Sequence, residues 1–281
     1  MLVERSFSIT NPSGDSISGD VRFLDDPAKK AVIVVCHGFT AFKDWGPFPH
    51  FGREFARLGF VSVVFNFSHN GIAPGKKKFS EFEKFSRNTI GKELEDVRAV
   101  VDAVAEGRVA EESADVTSIG IVGHSRGGGI ALLSASNDPR IRAAAGWSTV
   151  ATFQRYTDHQ QQLWEREGYL PVSLKASRTR LRFGLEVLRD LQANKDRYDI
   201  HAAVRRVRIP LLLVHGAEDV SVKLREPESL YDVSDKARTQ LVVLEHVGHI
   251  YGAKHPFGET NPAIEHIIGL TARWFHSHLQ E

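Results

Sequence analysis

A chain of 281 residues with 42% hydrophobic and 25% charged positions is long enough to bury one large core and has the composition of an ordinary globular protein. Its 36 Lys and Arg against 35 Asp and Glu leave a formal charge of +1, which gives no electrostatic reason to expect nucleic acid or an anionic membrane as partner. The one cysteine, Cys36, excludes an internal disulfide; no stretch approaches the roughly 20 apolar residues of a membrane span, and residues 1–10 carry charges where a leader needs an apolar core, so a cytoplasmic location is expected.

Residues 2–9 and 15–24 alternate apolar and polar positions and flank Asn11-Pro12-Ser13-Gly14, which predicts an antiparallel hairpin. Residues 31–36 are apolar throughout, as a strand covered on both faces requires. A helix over 49–58, ended by Gly59, leads to a second buried strand over 60–65. After a turn-rich loop, Leu94, Val97, Val101 and Val104 repeat at helical spacing within 89–106. Further buried strands are predicted over 118–122, 141–146, 210–214 and 240–244, a helix over 128–136, and a closing helix over 262–279 with its proline at the favoured first position. Strands alternating with helices of this length imply a mostly parallel, doubly wound α/β sheet with helices on both faces. Between 148 and 208 the alternation stops and only helical patterns remain, from about 153 to 167 and from 174 to 194. This predicts a core of 1–147 and 209–281 carrying a helical cap, 148–208, over the strand C-terminal ends where open α/β sheets bind ligands. The clusters Arg178-Thr179-Arg180-Leu181-Arg182 and Arg205-Arg206-Val207-Arg208 read as solvated faces.

Gly123-His124-Ser125-Arg126-Gly127 fits Gly-x-Ser-x-Gly and lies between a predicted strand and a predicted helix. A serine can be raised at such a turn only if its backbone accepts strained angles and its glycine neighbours allow close approach. The helix that follows aims its N-terminal N–H groups at charge developing near the hydroxyl. A serine also needs a base, and the base an acid that fixes its tautomer. Each is sought just past a later buried strand. His215-Gly216-Ala217-Glu218-Asp219 offers Asp219, preferred over Glu218, which is nearer the strand. Glu245-His246-Val247-Gly248-His249 offers His249, preferred over His246 because a glycine precedes it, with His255 in reserve. The order Ser125, Asp219, His249 suits this kind of elbow. Arg126, following the serine, would give one oxyanion N–H, and Phe39 in His37-Gly38-Phe39-Thr40 the other. The pair His246 and His249 lacks a third ligand for zinc, and Gly127-Gly128-Gly129 lacks the lysine of a phosphate loop, so neither metal nor cofactor is expected.

These four sites, Cys36-His37-Gly38-Phe39, the serine motif, the Asp219 loop and Gly248-His249, resemble the signatures of the α/β-hydrolase superfamily, in order and over nearly the whole chain. Within it the chain resembles bacterial carboxylesterases of the dienelactone-hydrolase-like and cinnamoyl (feruloyl) esterase type. The resemblance implies an α/β-hydrolase fold with an inserted cap and the nucleophile, acid, base and oxyanion roles just given. It departs at Asn66-Phe67-Ser68-His69-Asn70-Gly71, where many relatives have an Asp/Arg-Gly-x-Gly type loop bordering the site. The expected activity is hydrolysis of small hydrophobic or aryl esters by a monomer or homodimer, with Trp147, Phe153 and Trp164 lining the substrate pocket. A peptidase or amidase with the same triad, and a non-catalytic ligand-binding protein, are the rival readings.

Overall fold

The polarity of each strand decides its place in the sheet. In the computed structural model, which describes residues 1–110, 112–173 and 180–279, the half-polar runs Leu2–Thr10 (β1) and Ser16–Leu24 (β2) form a hairpin at one edge. Gly14 turns that hairpin with φ 85°. The fully buried Lys30–Cys36 (β3), apolar from Ala31 on, runs through the centre, followed by helix α1 (Phe48–Arg57) and β4 (Val61–Phe65). Next come a short helix α2 (Phe82–Ser86), α3 (Ile90–Ala105), β5 (Ala114–His124), α4 (Arg126–Asn137) and β6 (Ile141–Trp147). An inserted segment then carries α5 (Asp158–Glu167), β7 (Tyr169–Ser173), β8 (Arg180–Gly184), α6 (Leu185–Ala193) and α7 (Ile200–Arg206). The chain returns with β9 (Leu211–Gly216), α8 (Arg225–Val233), β10 (Thr239–Leu244) and α9 (Pro262–Leu279).

The large sheet has eight strands in the order β1-β2-β4-β3-β5-β6-β9-β10. Only β2 runs against its neighbours; every pair from β4 to β10 is parallel, so each needs a crossover that covers a face. Two cores result. Phe48, Phe51 and Phe55 of α1 pack with Ile264, Ile267 and Phe275 of α9 on one face, while Val97, Val101 and Val104 of α3 pack with Ile130 and Leu133 of α4 on the other. Among the described residues no helix is long and apolar enough to cross a membrane.

The inserted segment is not purely helical. Tyr169–Ser173 and Arg180–Gly184 pair antiparallel, with Leu170 opposite Phe183 and Val172 opposite Leu181. Leu170, Leu181 and Phe183 are buried while Tyr169, Arg180 and Arg182 are exposed, the two-residue period of a half-covered ribbon. Of the helix expected over 174–194, residues 174–179, and with them Arg178 and Thr179 of the first basic cluster, lie outside the described residues, and the helical part begins at Leu185. The helix expected from 153 begins only at Asp158, because Thr157 caps it: its hydroxyl accepts from the Gln160 N–H, and the Gln160 side chain returns a bond to the Thr157 N–H. Asp190 of α6 seats the segment on the core. One of its oxygens accepts from the Ile90 and Gly91 N–H groups at the start of α3, the other from the Tyr198 hydroxyl at 2.7 Å.

Candidate active site

Ser125 is the single residue between the end of β5 and the start of α4, and it stands at φ 55°, ψ −118°. Such angles cost a non-glycine residue on the order of 1–3 kcal/mol and persist only where the surroundings over-determine them. Here the Ser125 N–H donates to the Trp147 carbonyl at 2.8 Å, and its own carbonyl accepts from the Gly128 N–H at 3.0 Å. A β-carbon at Gly123 would collide with the Gly127 carbonyl group, and one at Gly127 with the carbonyls of Cys36 and His37. The glycines therefore permit three backbones to cross under the serine.

The candidate acid and base, Asp219 and His249, lie in the loops after β9 and β10. The Asp219 carboxylate is fully buried. Its Oδ1 accepts from the Ser221 and Val222 N–H groups at 2.8 and 2.9 Å, and its Oδ2 from His249 Nδ1 at 2.7 Å. Burial alone would raise its pKa, but the His249 bond and the backbone donors outweigh it and hold the carboxyl below its ordinary range. With its proton on Nδ1, His249 is left with Nε2 to accept one from a hydroxyl. The two loops are also laced together, Ala217 N–H to the Leu244 carbonyl and Glu218 N–H to the Val247 carbonyl, each at 2.9 Å. The rival residues lie elsewhere. Glu218 and His246 are exposed and pair with each other at 3.2 Å. His255 stacks on Trp45 and accepts from the Gly46 N–H.

Ser125, Arg126 and His249 line one cavity of ≈ 240 Å³, together with Phe39, Phe153 and Tyr156. Arg126 opens α4, so its N–H has no partner within the helix. Phe39 precedes Thr40, a β-branched residue at φ 59°, which marks this loop as a second strained point beside the serine. Beneath it, buried His37 donates from Nδ1 to the Gly38 carbonyl at 2.9 Å and accepts the Phe67 N–H on Nε2. Burial, with Arg126 nearby, holds the pKa of His37 down at about 4, so the ring stays neutral and keeps this tautomer. Residues 66–71 are buried but do not line the cavity; the Asn66 side chain accepts from the Lys43 N–H, and Asp96 accepts from the Ser68 N–H.

Two aromatic residues expected in the pocket are not there. Trp147 follows Ala143 and Ala145 on the sheet face that meets α1 and α9, packs its ring 4.9 Å from Phe51, and donates to Thr271. Trp164 is fully buried inside the inserted segment, against Tyr156 and Phe183, with its indole N–H on the Gly184 carbonyl. Phe153 does line the cavity, and so do Val187 and Leu191 of α6. Sequence reasoning also passed over His124, Arg155 and Tyr156. His124 donates from Nε2 to the His249 carbonyl at 2.9 Å, and burial together with the neighbouring His249 keeps its pKa down at about 3. A neutral donor at that motif position thereby steadies the base loop. Arg155 borders the cavity while its guanidinium is held by Glu226.

A family model described as alpha/beta hydrolase family matches residues 33–263. No curated protein sequence matches the chain. Among solved structures, the alpha/beta hydrolase GrgF from Penicillium sp. sh18 superposes with a TM-score of 0.77 at 15% identity, covering 99% of this chain and 100% of that one. Est1E from Butyrivibrio proteoclasticus with bound ferulic acid gives 0.70 at 18% identity, over 98% and 100% of the two chains. The esterase domain of a Rhodothermus marinus protein gives 0.67 at 17% identity, over 99% of each. At these identities the likeness is one of fold.

Proposed function

The chain belongs to the alpha/beta hydrolase family, and from that premise we propose that it is a serine carboxylesterase acting on small hydrophobic or aryl esters. The observation that carries the reading is the 2.7 Å bond from His249 to buried Asp219, with His249 sharing a cavity with a serine held in elbow geometry. Ser125 Oγ attacks the ester carbonyl carbon while His249 Nε2 takes the hydroxyl proton. The tetrahedral oxyanion rests on the N–H groups of Arg126 and Phe39. Collapse breaks the bond to the alcohol oxygen, which leaves with the proton from His249. Water then attacks the acyl-enzyme by the same route, releasing the acid and restoring Ser125.

Residues 148–208 serve as a cap in this reading, since Val150, Phe153, Tyr156, Val187 and Leu191 close the cavity over the serine. A volume of ≈ 240 Å³ is below the roughly 300–1,000 Å³ of typical drug-sized ligand sites, which favours a compact acyl group. The ferulic acid held by the structurally similar Est1E is such an acid. The test is a panel of p-nitrophenyl, hydroxycinnamoyl and aminoacyl-arylamide substrates beside labelling with a fluorophosphonate. Esters should turn over, arylamides should not, and Ser125→Ala should abolish both turnover and labelling. Arylamide turnover exceeding that of esters would make the protein an amidase, and a wild-type chain that neither labels nor hydrolyses would be a binding protein.

A further inference from the structure

Phe39 is an unusual residue to position an oxyanion donor, because it is 38% exposed and the next residue, Thr40, has a positive φ of 59°. What its ring meets is aromatic: Phe85 at 6.0 Å and, closer, Phe183 at 5.3 Å, both tilted by about 30°. Phe183 belongs to β8 of the inserted segment. It is fully buried, stacked on Phe85 at 5.3 Å with planes 2° apart, and on Trp164 at 5.9 Å with planes 14° apart. Its neighbour Gly184 receives the Trp164 indole N–H and passes so near α2 that a β-carbon there would lie 3.2 Å from the Ser86 carbonyl oxygen. The ring is therefore held from both the core and the segment.

Arg126 leans on the same ring. Its guanidinium carbon lies 5.6 Å from the centre of Phe39 and 5.8 Å from that of Phe183. Glu93 accepts from Nε at 2.9 Å and the Asn88 carbonyl from Nη2 at 3.1 Å, so the cation is tethered with its apolar contacts on the two rings. The two residues whose backbone N–H groups would receive the oxyanion thus rest their side chains on one phenylalanine supplied by the inserted segment.

We infer that Phe183 is a positioning residue for the oxyanion hole, so that the inserted segment sets the two backbone donors as well as covering the acyl group. The inference rests on the serine-hydrolase reading above. A donor aimed at the oxyanion acts only once the carbonyl has become tetrahedral, so its displacement lowers kcat and leaves KM nearly unchanged. A residue that only lines the pocket raises KM; one that only packs lowers thermal stability.

The experiment compares Phe183→Leu, Phe39→Leu and the double variant on p-nitrophenyl acetate, whose acyl group is too small to fill the cavity of ≈ 240 Å³. Phe183→Leu should lower kcat roughly ten- to a hundred-fold, with KM within about twofold. The double variant should lose no more than the worse single one, because both remove the same stack. If Phe183→Leu does not fold, Arg126→Met keeps the backbone N–H, removes the cation from the rings, and should likewise lower kcat with KM retained. An active wild type whose variants keep kcat, change only KM, or lose kcat multiplicatively overturns this inference alone. A wild-type chain without hydrolysis or fluorophosphonate labelling overturns the hydrolase reading, and this inference with it.

Discussion

Replacing Asp219 by asparagine keeps the shape of the acid and alters what one of its two oxygens can do. Oδ1 is fixed by the Ser221 and Val222 N–H groups at 2.8 and 2.9 Å, so the amide oxygen must take that place. The amide nitrogen then stands where Oδ2 stood, 2.7 Å from His249 Nδ1 and 3.4 Å from His215 Nε2. His215 cannot accept from it, because its Nε2 already donates to the Val222 carbonyl. The new N–H must therefore donate to His249 Nδ1, which forces the ring proton onto Nε2. In that tautomer the ring cannot receive the serine proton, and the imidazolium also loses its counter-charge. The same substitution in another serine triad costs about 10⁴ in kcat, which is roughly 5.5 kcal/mol of transition-state stabilisation at about 1.4 kcal/mol per tenfold. The assay is kcat and kcat/KM for p-nitrophenyl acetate across pH, with circular dichroism to verify folding. Glu218→Gln is the control; its exposed pair with His246 is weakly coupled, so activity should stay within roughly twofold. Retention of more than about a tenth of wild-type kcat in Asp219→Asn would refute the tautomer argument.

Trp164→Ala should cost about 3–5 kcal/mol of stability, read as a lowered Tm, because it empties the core of the inserted segment. Phe153→Ala, which opens the cavity itself, should instead change the relative kcat/KM of short and bulky acyl esters by roughly tenfold or more. Gly127→Ala should lower Tm and abolish activity together, since its methyl would meet the Cys36 and His37 carbonyls and push the oxyanion loop off the elbow. Burial pushes Asp96 up to about 7, against about 3.9 in an unfolded chain, so between those values the folded protein keeps a proton that the unfolded chain has released. The contribution of this site is full below about pH 4 and declines as pH rises towards 7, at up to about 1.4 kcal/mol per pH unit. The difference in Tm between wild type and Asp96→Asn should shift accordingly from pH 4.5 to 7.5 on the order of this slope, and a constant difference would show that Asp96 is already ionised at the lower pH.

Backbone-determined features were the legible ones. Apolar runs such as β3 and β9 have nowhere to go but the sheet interior, and the glycines around Ser125 announce a crossing of chains. Asp219 and His249 could be singled out because each lies a few residues past such a run, and the fold brings them within 2.7 Å of each other. Side-chain direction was harder. Trp147 ends the strand nearest the inserted segment, yet it shares a parity with Ala143 and Ala145, and that two-residue period, read to the strand's end, would have put it on the far face. The β7–β8 ribbon was hidden because Tyr169–Ser173 contains a proline and five residues are too few to separate a strand period from a helical one. His124 was named only as a motif position, and Arg126 only for its backbone N–H. Their side-chain roles depend on His249, Glu93 and Phe183, partners that only the fold brings near.

The pairing of β9 with β6 spans the whole inserted segment, and β10 can join only after β9. During synthesis, then, the Ser125 turn is complete long before Asp219 and His249 are made. On the proposed function, a nascent chain that has emerged through α4 holds the elbow sequence but no base for the serine, and it stays inert until the C-terminal third has been made and docked. When the full chain refolds, pairing β9 with β6 must also close the loop between Ala144 and Leu211, which carries its own entropic cost. If the proposed esterase activity holds, recovery of turnover on refolding would report completion of the sheet rather than collapse or helix formation.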